Sequence, residues 1–535
     1  MYPKFTRTLG MLALAGGLSL ASSCTGDLDQ KPDYAASADV VYKDPVQIKQ
    51  VLARLYATFA VSGQTGPAGA PDISGIDEGF SNYLRQYWQI QEVTTDEAVI
   101  GWNDGNLPSL NTLQWNADNE FVRATYDRIF YEIALCNEFI RQTTDAKLSE
   151  RGIGGAEAGT IRTYRAEARL LRALCYWHNI DLFGGGPFAT EESAVGTVPG
   201  YKTRAELFTF VESELKDLDA TNALLAPRGE YARADRAMCW TLLTKLYLNA
   251  QVYTGANRAT DAITYAKKVM AAGYSLTPTY ANLFLADNNK NGAQNEVIFP
   301  ITFDGIRTQT YGGMTYLVHA PVGRAIPPAS IGINGGWGGL RTKPNLTRLF
   351  TLATPGDDVR EELFFTRGQN PNVDTLGVFS SGVLITKYKN ITAAGQGGSD
   401  SQEKGGSGNF ADTDFPMFRL ADVQLMYAEA VLRGGTGGST GEALTLVNAI
   451  RARAKAAPLT KLELPDILDE RARELFWEGH RRTDLIRFGR YAIGYNWPFK
   501  GGVQPGRDVE PTRVLFPIPN TARVANRNLP QNQGY

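Results

Sequence analysis

Apolar residues recur at helical spacing along most of the chain. After Asp44-Pro45, Ile48, Val51, Leu52, Leu55, Tyr56 and Phe59 share one face, which predicts an amphipathic helix over 44–61. From residue 119 to 274 the pattern reads as helix after helix: 121–143, 157–182, 203–218, 235–253 and 257–272. The helix over 157–182 is apolar on two faces. Tyr164, Ala168, Leu171, Cys175, His178 and Leu182 form one, and Leu170, Leu174 and Trp177 the other, so it is predicted to be buried on both sides. Phe183-Gly184-Gly185-Gly186-Pro187 then stops it, as glycine followed by proline does. Segments 237–247 and 262–272 alternate small and large residues as tetratricopeptide helices do. Helix pairs of this kind bury their faces only by stacking on one another.

The period changes near residue 277. Residues 296–303 and 383–388 read as short strands, 305–339 is rich in glycine and aromatic residues, and 393–408 has the composition of a flexible loop. We read 277–416 as a loop-rich insertion on the helical scaffold. Helices return at 420–432 and 442–453. In the stretch 464–491, Pro465 and Asp466 mark a start, and Leu468, Ala472, Leu475, Phe476, Gly479 and Ile486 keep helical spacing, which predicts one long helix. Arg471/Glu474 and Glu478/Arg482 lie three and four apart, where opposite charges sit side by side. Two readings follow: a solvated, self-paired face, or an ion-paired seam against neighbouring helices. Residues 514–535 read as an extended tail closing over the bundle. The fold class is therefore mainly α, a tetratricopeptide-like scaffold of helical pairs (about 40–275 and 417–492) with a loop- and short-strand-rich insertion and an extended tail over 505–535.

Composition narrows the function. At 535 residues the chain is long for one core, yet no shift in composition marks a boundary, so 24–535 is read as a single domain. A net charge of −2 and a pI near 6.1 provide no basic field for nucleic acid. Lys4 and Arg7 precede an apolar run over 9–20 that is too short to span a bilayer, followed by Leu20-Ala21-Ser22-Ser23-Cys24. Small residues before a cysteine in this position read as a lipoprotein signal peptide over 1–23, with Cys24 acylated and 25–34 a polar tether. More than one acyl chain makes such anchoring stable. Cys136, Cys175 and Cys239 are odd in number and lie in predicted helices, so buried free thiols are expected.

Several stretches resemble the SusD/RagB family of surface nutrient-binding lipoproteins of Gram-negative outer membranes. They are Tyr164-Arg165-Ala166-Glu167-Ala168-Arg169 through Phe183-Gly184-Gly185, the EVTTDEAVI phrase over 92–100, the Glu470-Arg471, Glu474-Leu475, Glu478-Gly479, Asp484-Leu485 and Arg487-Phe488-Gly489 series, and the FPIP and NQGY of the tail. The resemblance implies a SusD-like α-superhelix on the outer-membrane surface. It implies a SusC-type TonB-dependent transporter as partner and a nutrient oligosaccharide, or a peptide, as ligand. It also implies that the charges of 464–491 dock on neighbouring helices and do no chemistry, so the ion-paired seam is the reading adopted. Asp27 and Asp29 resemble the acidic export signals of surface lipoproteins.

Little in the chain suggests catalysis. Asp96/Glu97, Glu191/Glu192 and Asp357/Asp358 are adjacent acids outside any catalytic motif, whereas a glycosidase needs its acid and base on opposed surfaces. His480 lacks the HExxH spacing of a zincin, His178 reads as a core residue, and His319 carries no pattern. No GxSxG nucleophile elbow is read in the chain, and Gly184–Gly186 lacks the lysine of a phosphate loop. No cofactor is expected, and a structural calcium ion in a loop is left open. The stronger signal is aromatic. Trp102 in GWNDGN, Tyr311 and Tyr316 in TYGGMTY, and Trp337 in NGGWGGLR stand among glycines, which lets backbone present a ring to solvent. A sugar offers an apolar face ringed by hydroxyls, so a ring stacks on it while Asn103, Asp104 and Arg341 supply hydrogen bonds. The family resemblance places ligand-contacting aromatics at Trp102 and in the 311–337 region. The sequence thus predicts a non-catalytic binding protein; a surface glycan hydrolase and a protein-only adaptor are the alternatives.

Overall fold

The computed structural model describes residues 38–75, 77–350 and 358–535. Cys24, the predicted signal peptide and the tether lie outside the described residues. Helix starts follow local chemistry. The Asp44 carboxylate accepts from the Val46 amide ahead of α1 (Pro45–Ala60), and the Asn82 side chain caps α2 (Tyr83–Trp88). Asn119 accepts from two amides at the start of α3 (Glu120–Gln142). The doubly apolar helix is α4 (Gly155–Leu182), and its residues from Ala166 to Leu182 are almost all buried. Thr203 and Glu206 form a reciprocal capping box on α5 (Arg204–Ala220). The predicted helix over 235–253 breaks at Asn249, leaving α6 (Arg236–Leu248) and a short following turn of helix. Then comes α7 (Ala259–Met270).

Each of these helices packs on the next: α3 on α4, α4 on α5, α5 on α6 and α6 on α7. The stack continues into helices that follow the insertion. α8 (Leu420–Leu432) packs on α7, and α9 (Thr440–Arg453) packs on α8. The insertion leaves and rejoins the stack through an antiparallel pair, β1 (Val297–Ile301) with β2 (Phe415–Arg419). Cys136, Cys175 and Cys239 are buried free thiols. The stretch 393–408, predicted flexible, is organised round one carboxylate: Asp400 accepts from the amides of Ser407, Asn409 and Phe410 and from the Ser407 hydroxyl. The tail carries a short helix, Asn520–Ala525, and ends with the Tyr535 hydroxyl accepting from the Trp115 indole at 2.7 Å.

The helix predicted over 464–491 is two helices, α10 (Leu464–Leu475) and α11 (Arg481–Arg487). Between them Trp477 and Gly479 take φ of +64° and +79°. The break turns Phe476 and Trp477 into the core, where both are fully buried. Several of its freed backbone groups are met from distant segments. Glu97 accepts from the Trp477 amide, and Glu92 accepts from the amides of Gly479 and His480 at 2.6 and 3.2 Å. The Trp88 indole and the Tyr388 hydroxyl donate to the Trp477 carbonyl. Period alone did not show the break, because the burial gained by two large rings outweighs the helical hydrogen bonds lost.

Most charges on this stretch are buried, and Glu474 and Glu478 pair with residues outside it. Glu474 meets Arg360 at 3.0 Å, Arg419 at 2.7 Å and Arg453; Glu478 meets Lys387 at 2.7 Å and Arg419 at 2.6 Å. Arg471 binds Asp422 at 2.8 Å and Asp484 at 2.7 Å rather than Glu474, and Arg482 donates to the Val514 carbonyl rather than to Glu478. This is a docked seam, and the pairs suggested by helical spacing do not form.

Candidate functional site

Two residues of strand bring the predicted rings together. Val99–Ile100 pairs antiparallel with Leu340–Arg341, and the Gly101 amide extends the ladder to the Gly339 carbonyl at 2.9 Å. Trp102 thereby lies beside the loop that carries Trp337. That loop is pinned to the end of the helix Gly313–His319: the Trp337 amide donates to the His319 carbonyl at 3.0 Å and the Gly339 amide to the Ala320 carbonyl at 2.8 Å. Gly339 needs its lack of a side chain, since a Cβ there would overlap the Trp102 indole.

The result is an open cleft of about 600 Å³, lined by Trp102, Tyr311 and Trp337 together with residues of 67–71 and 77–79. The Trp102 and Trp337 rings lie 6.4 Å apart at 43°, and Tyr311 lies 6.5 Å from Trp337 at 56°. Successive tilts of this size make a curved surface of rings. His319 backs Trp337 as a stacked ring, 4.9 Å away at 26°, and each of its nitrogens lies against a backbone carbonyl, Gly335 at 2.6 Å and Asn409 at 2.7 Å. Burial holds the His319 pKa below its ordinary value.

Polar groups line the rest of the cleft. The Arg85 guanidinium lies 4.3 Å over the Tyr316 ring and 5.9 Å from that of Trp102, and its Nε donates to Gln89. It forms no ion pair among the described residues, and burial lowers its pKa. Asp77 and Glu78 face it from the 67–79 loop. Burial, with the charge of Asp77 beside it, raises the Glu78 pKa to about 7.

Of the predicted site residues, the structure places Trp102, Tyr311 and Trp337 on one cleft. Asn103 and Asp104 are exposed on the following turn and do not line it. Tyr316 is corrected to a core residue: Gly312 and Gly313 begin a helix instead of a loop, and that helix buries Tyr316 fully beneath Arg85 and Trp102. Arg341 is likewise fully buried. Its guanidinium donates to the carbonyls of Ser381, Gly339 and Leu376, so it braces the Trp337 loop from behind, and burial lowers its pKa to about 10. Sequence reasoning missed Arg85, Asp77 and Glu78. A lone arginine within the aromatic run YLRQYW was the available signal.

The adjacent acids are occupied structurally. Asp96 takes Arg481 at 2.7 Å and the Tyr495 hydroxyl, Glu97 holds the Trp477 amide, and Asp358 binds Arg360. Glu191 meets Arg172, Glu192 is exposed, and Asp357 lies outside the described residues. Among the described residues, no cluster of three or more His, Cys, Asp or Glu is placed to hold a metal ion. No described helix is long and apolar enough to cross a membrane.

The SusD family profile matches residues 360–535. The starch-binding protein SusD of Bacteroides thetaiotaomicron is 33% identical, with all of both chains covered. A SusD-like protein of Bacteroides ovatus is 24% identical over 72% of this chain and 69% of its own. Among solved structures, a SusD superfamily protein from Parabacteroides distasonis superposes with a TM-score of 0.70 at 21% identity, covering 92% of this chain and 98% of that one. A surface glycan-binding protein A from Bacteroides thetaiotaomicron, solved with laminarihexaose, gives 0.67 at 19% identity over 91% and 99%. A relative this similar over its whole length, together with the profile match at the C-terminal end, establishes that the chain belongs to the SusD family.

Proposed function

We propose that this protein is a lipid-anchored receptor on the outer-membrane surface that binds a curved glucose polymer and delivers it, chemically unchanged, to a SusC-type TonB-dependent transporter. The observation that carries this reading is the tilted arc of Trp102, Trp337 and Tyr311 beside Arg85, which has no ion pair among the described residues. Rings at 43° and 56° to one another follow a chain that curls, as α-1,4- and β-1,3-linked glucose does, and not the flat ribbon of a β-1,4 chain. The relative named for starch binding and the fold neighbour solved with laminarihexaose support glucose as the sugar. Asp77, Glu78 and Asp104 around Arg85 disfavour an anionic glycan through like-charge repulsion. Asp77 and Glu78 come from one loop, whereas glycoside hydrolysis sets its two carboxyls on opposite sides of the scissile bond. The lipobox at Cys24 supports anchoring. Delivery requires release, so binding of about −4 to −7 kcal/mol is expected.

Calorimetry with soluble amylose and laminarin oligosaccharides tests the reading. Trp102→Ala and Trp337→Ala should each weaken binding by about 2 kcal/mol, roughly thirtyfold, with little change in melting temperature. Unchanged isotherms reject the site, and release of new reducing ends turns the assignment to a hydrolase. Pull-down of the anchored protein from solubilised membranes should recover a barrel transporter.

A further inference from the structure

Trp337 lines two clefts. Beyond its loop lies a second one, about 790 Å³, lined by 323–328, 336–338, 368–369 and 378–380. Gly336, Trp337 and Gly338 form the partition, so one side chain and its flanking glycines separate this space from the ring arc. Phe379 lines it, half-buried and seated so closely on Gly323 that a Cβ there would overlap its ring. Val378 beside it is 50% exposed. Gln369 and Ser380 are polar lining residues, the Gln369 side chain donating to the Phe379 carbonyl, and Arg324 is exposed with no ion pair among the described residues. No acidic side chain lines the space among the described residues. Like the first cleft it sets an aromatic ring against glycine beside one arginine; its other polar lining residues, Gln369 and Ser380, are neutral where the first cleft has Asp77 and Glu78.

We infer that the second cleft holds further sugar rings of the same glycan chain, which leaves the ring arc past Trp337 and lies along Phe379. The inference rests on the glycan-binding reading above and adds a determinant of chain length. Because Trp337 lines both spaces, a polymer that crosses its ring passes from one to the other. An oligosaccharide short enough to be filled by Trp102, Trp337 and Tyr311 gains nothing from Phe379; a longer one stacks on it as well.

The test is a ladder of α-1,4- and β-1,3-linked glucose oligosaccharides, from trisaccharide upward, titrated into the wild-type protein and into Phe379→Ala. The long members should bind the wild type about tenfold more tightly than the short ones. In Phe379→Ala that advantage should vanish while short-chain affinity stays unchanged. Val378→Asp, at an exposed position that leaves the core alone, should have the same length-selective effect, which keeps the test valid if loss of Phe379 disturbs the fold. Equal weakening of short and long chains, or an unchanged long-chain isotherm in both variants, overturns the second cleft. Absence of binding by any member to the wild type instead overturns the proposed function itself.

Discussion

Trp102 stays in the cleft because Gly339 leaves it room, and the two residues belong to segments more than two hundred positions apart. Gly339→Ala would force the indole to turn away. Glycan affinity is expected to fall by about 1.4 kcal/mol, a tenfold change, at a stability cost of about 1 kcal/mol from overpacking. Titration and a thermal melt on the same sample check this; full affinity in the variant shows that the Trp102 ring is not held for the ligand. At this scale the sequence was legible where a residue conflicts with its surroundings. A tryptophan next to glycine has few neighbours of its own to pack against, so Trp102 and Trp337 stood out. Tyr316 did not conflict: it follows glycines that begin a helix, and helical phase carries it inward. Arg85 was illegible for the converse reason, since a basic residue in a helix is ordinarily solvated, and only the tertiary fold stacks it over Tyr316.

Helices announce their starts more clearly than their interruptions. Asp44, Thr203 and Asp235 each cap a helix whose beginning could be read from a polar residue before an apolar period. The break between α10 and α11 has no such marker, because Phe476, Gly479 and Ile486 keep the helical spacing through it. Its cause lies in residues 92 and 97, nearly four hundred positions away, whose carboxyls receive the turned backbone. Burial pushes both of these carboxyls up in pKa, Glu97 to about 8, and the charge of Glu97 adds to the effect on Glu92. Gly479 carries the turn at φ +79°, and a Cβ there would stand 2.7 Å from the Tyr87 ring. Gly479→Ala therefore combines a left-handed backbone penalty of about 1–2 kcal/mol with a steric cost of similar size. Urea denaturation should show a loss of about 2–4 kcal/mol, whereas the ring cleft, built from other segments, should retain its affinity in the folded fraction. A loss below about 1 kcal/mol would mean that the break tolerates an ordinary residue.

At the scale of the molecule, the insertion and the helical stack are joined through buried charge. Arg419, at the end of β2, reaches Glu296 from β1's edge at 2.9 Å, Glu474 from α10 at 2.7 Å and Glu478 from the break at 2.6 Å. The alternation of Glu and Arg over 470–487 hinted at such a seam, but helical spacing named the wrong partners for Arg471, Glu474 and Glu478, whose partners include residues 360, 387, 419, 422 and 453. Removing one member of a buried cluster leaves the others desolvated and short of a counter-charge. Arg419→Met should therefore cost about 3–5 kcal/mol at pH 7. Its pH dependence separates charge from packing. Burial opposes ionisation of Glu474 and Glu478, yet the cations around them outweigh it and hold both below the ordinary value of 4.5; Glu470 nearby lies at about 2. A carboxyl with a depressed folded pKa contributes stability above its unfolded value, and that contribution drains away as pH falls through 4.5 toward 2. The wild type thus loses the seam's contribution in acid. In Arg419→Met the same carboxyls have lost a cation, their folded pKa values rise, and protonation relieves part of the penalty. The stability gap between the two proteins, measured as denaturation midpoints, should be widest at neutral pH and narrow by pH 4. A gap of equal size at both pH values would show that Arg419 joins insertion to scaffold by its packing and not by its charge.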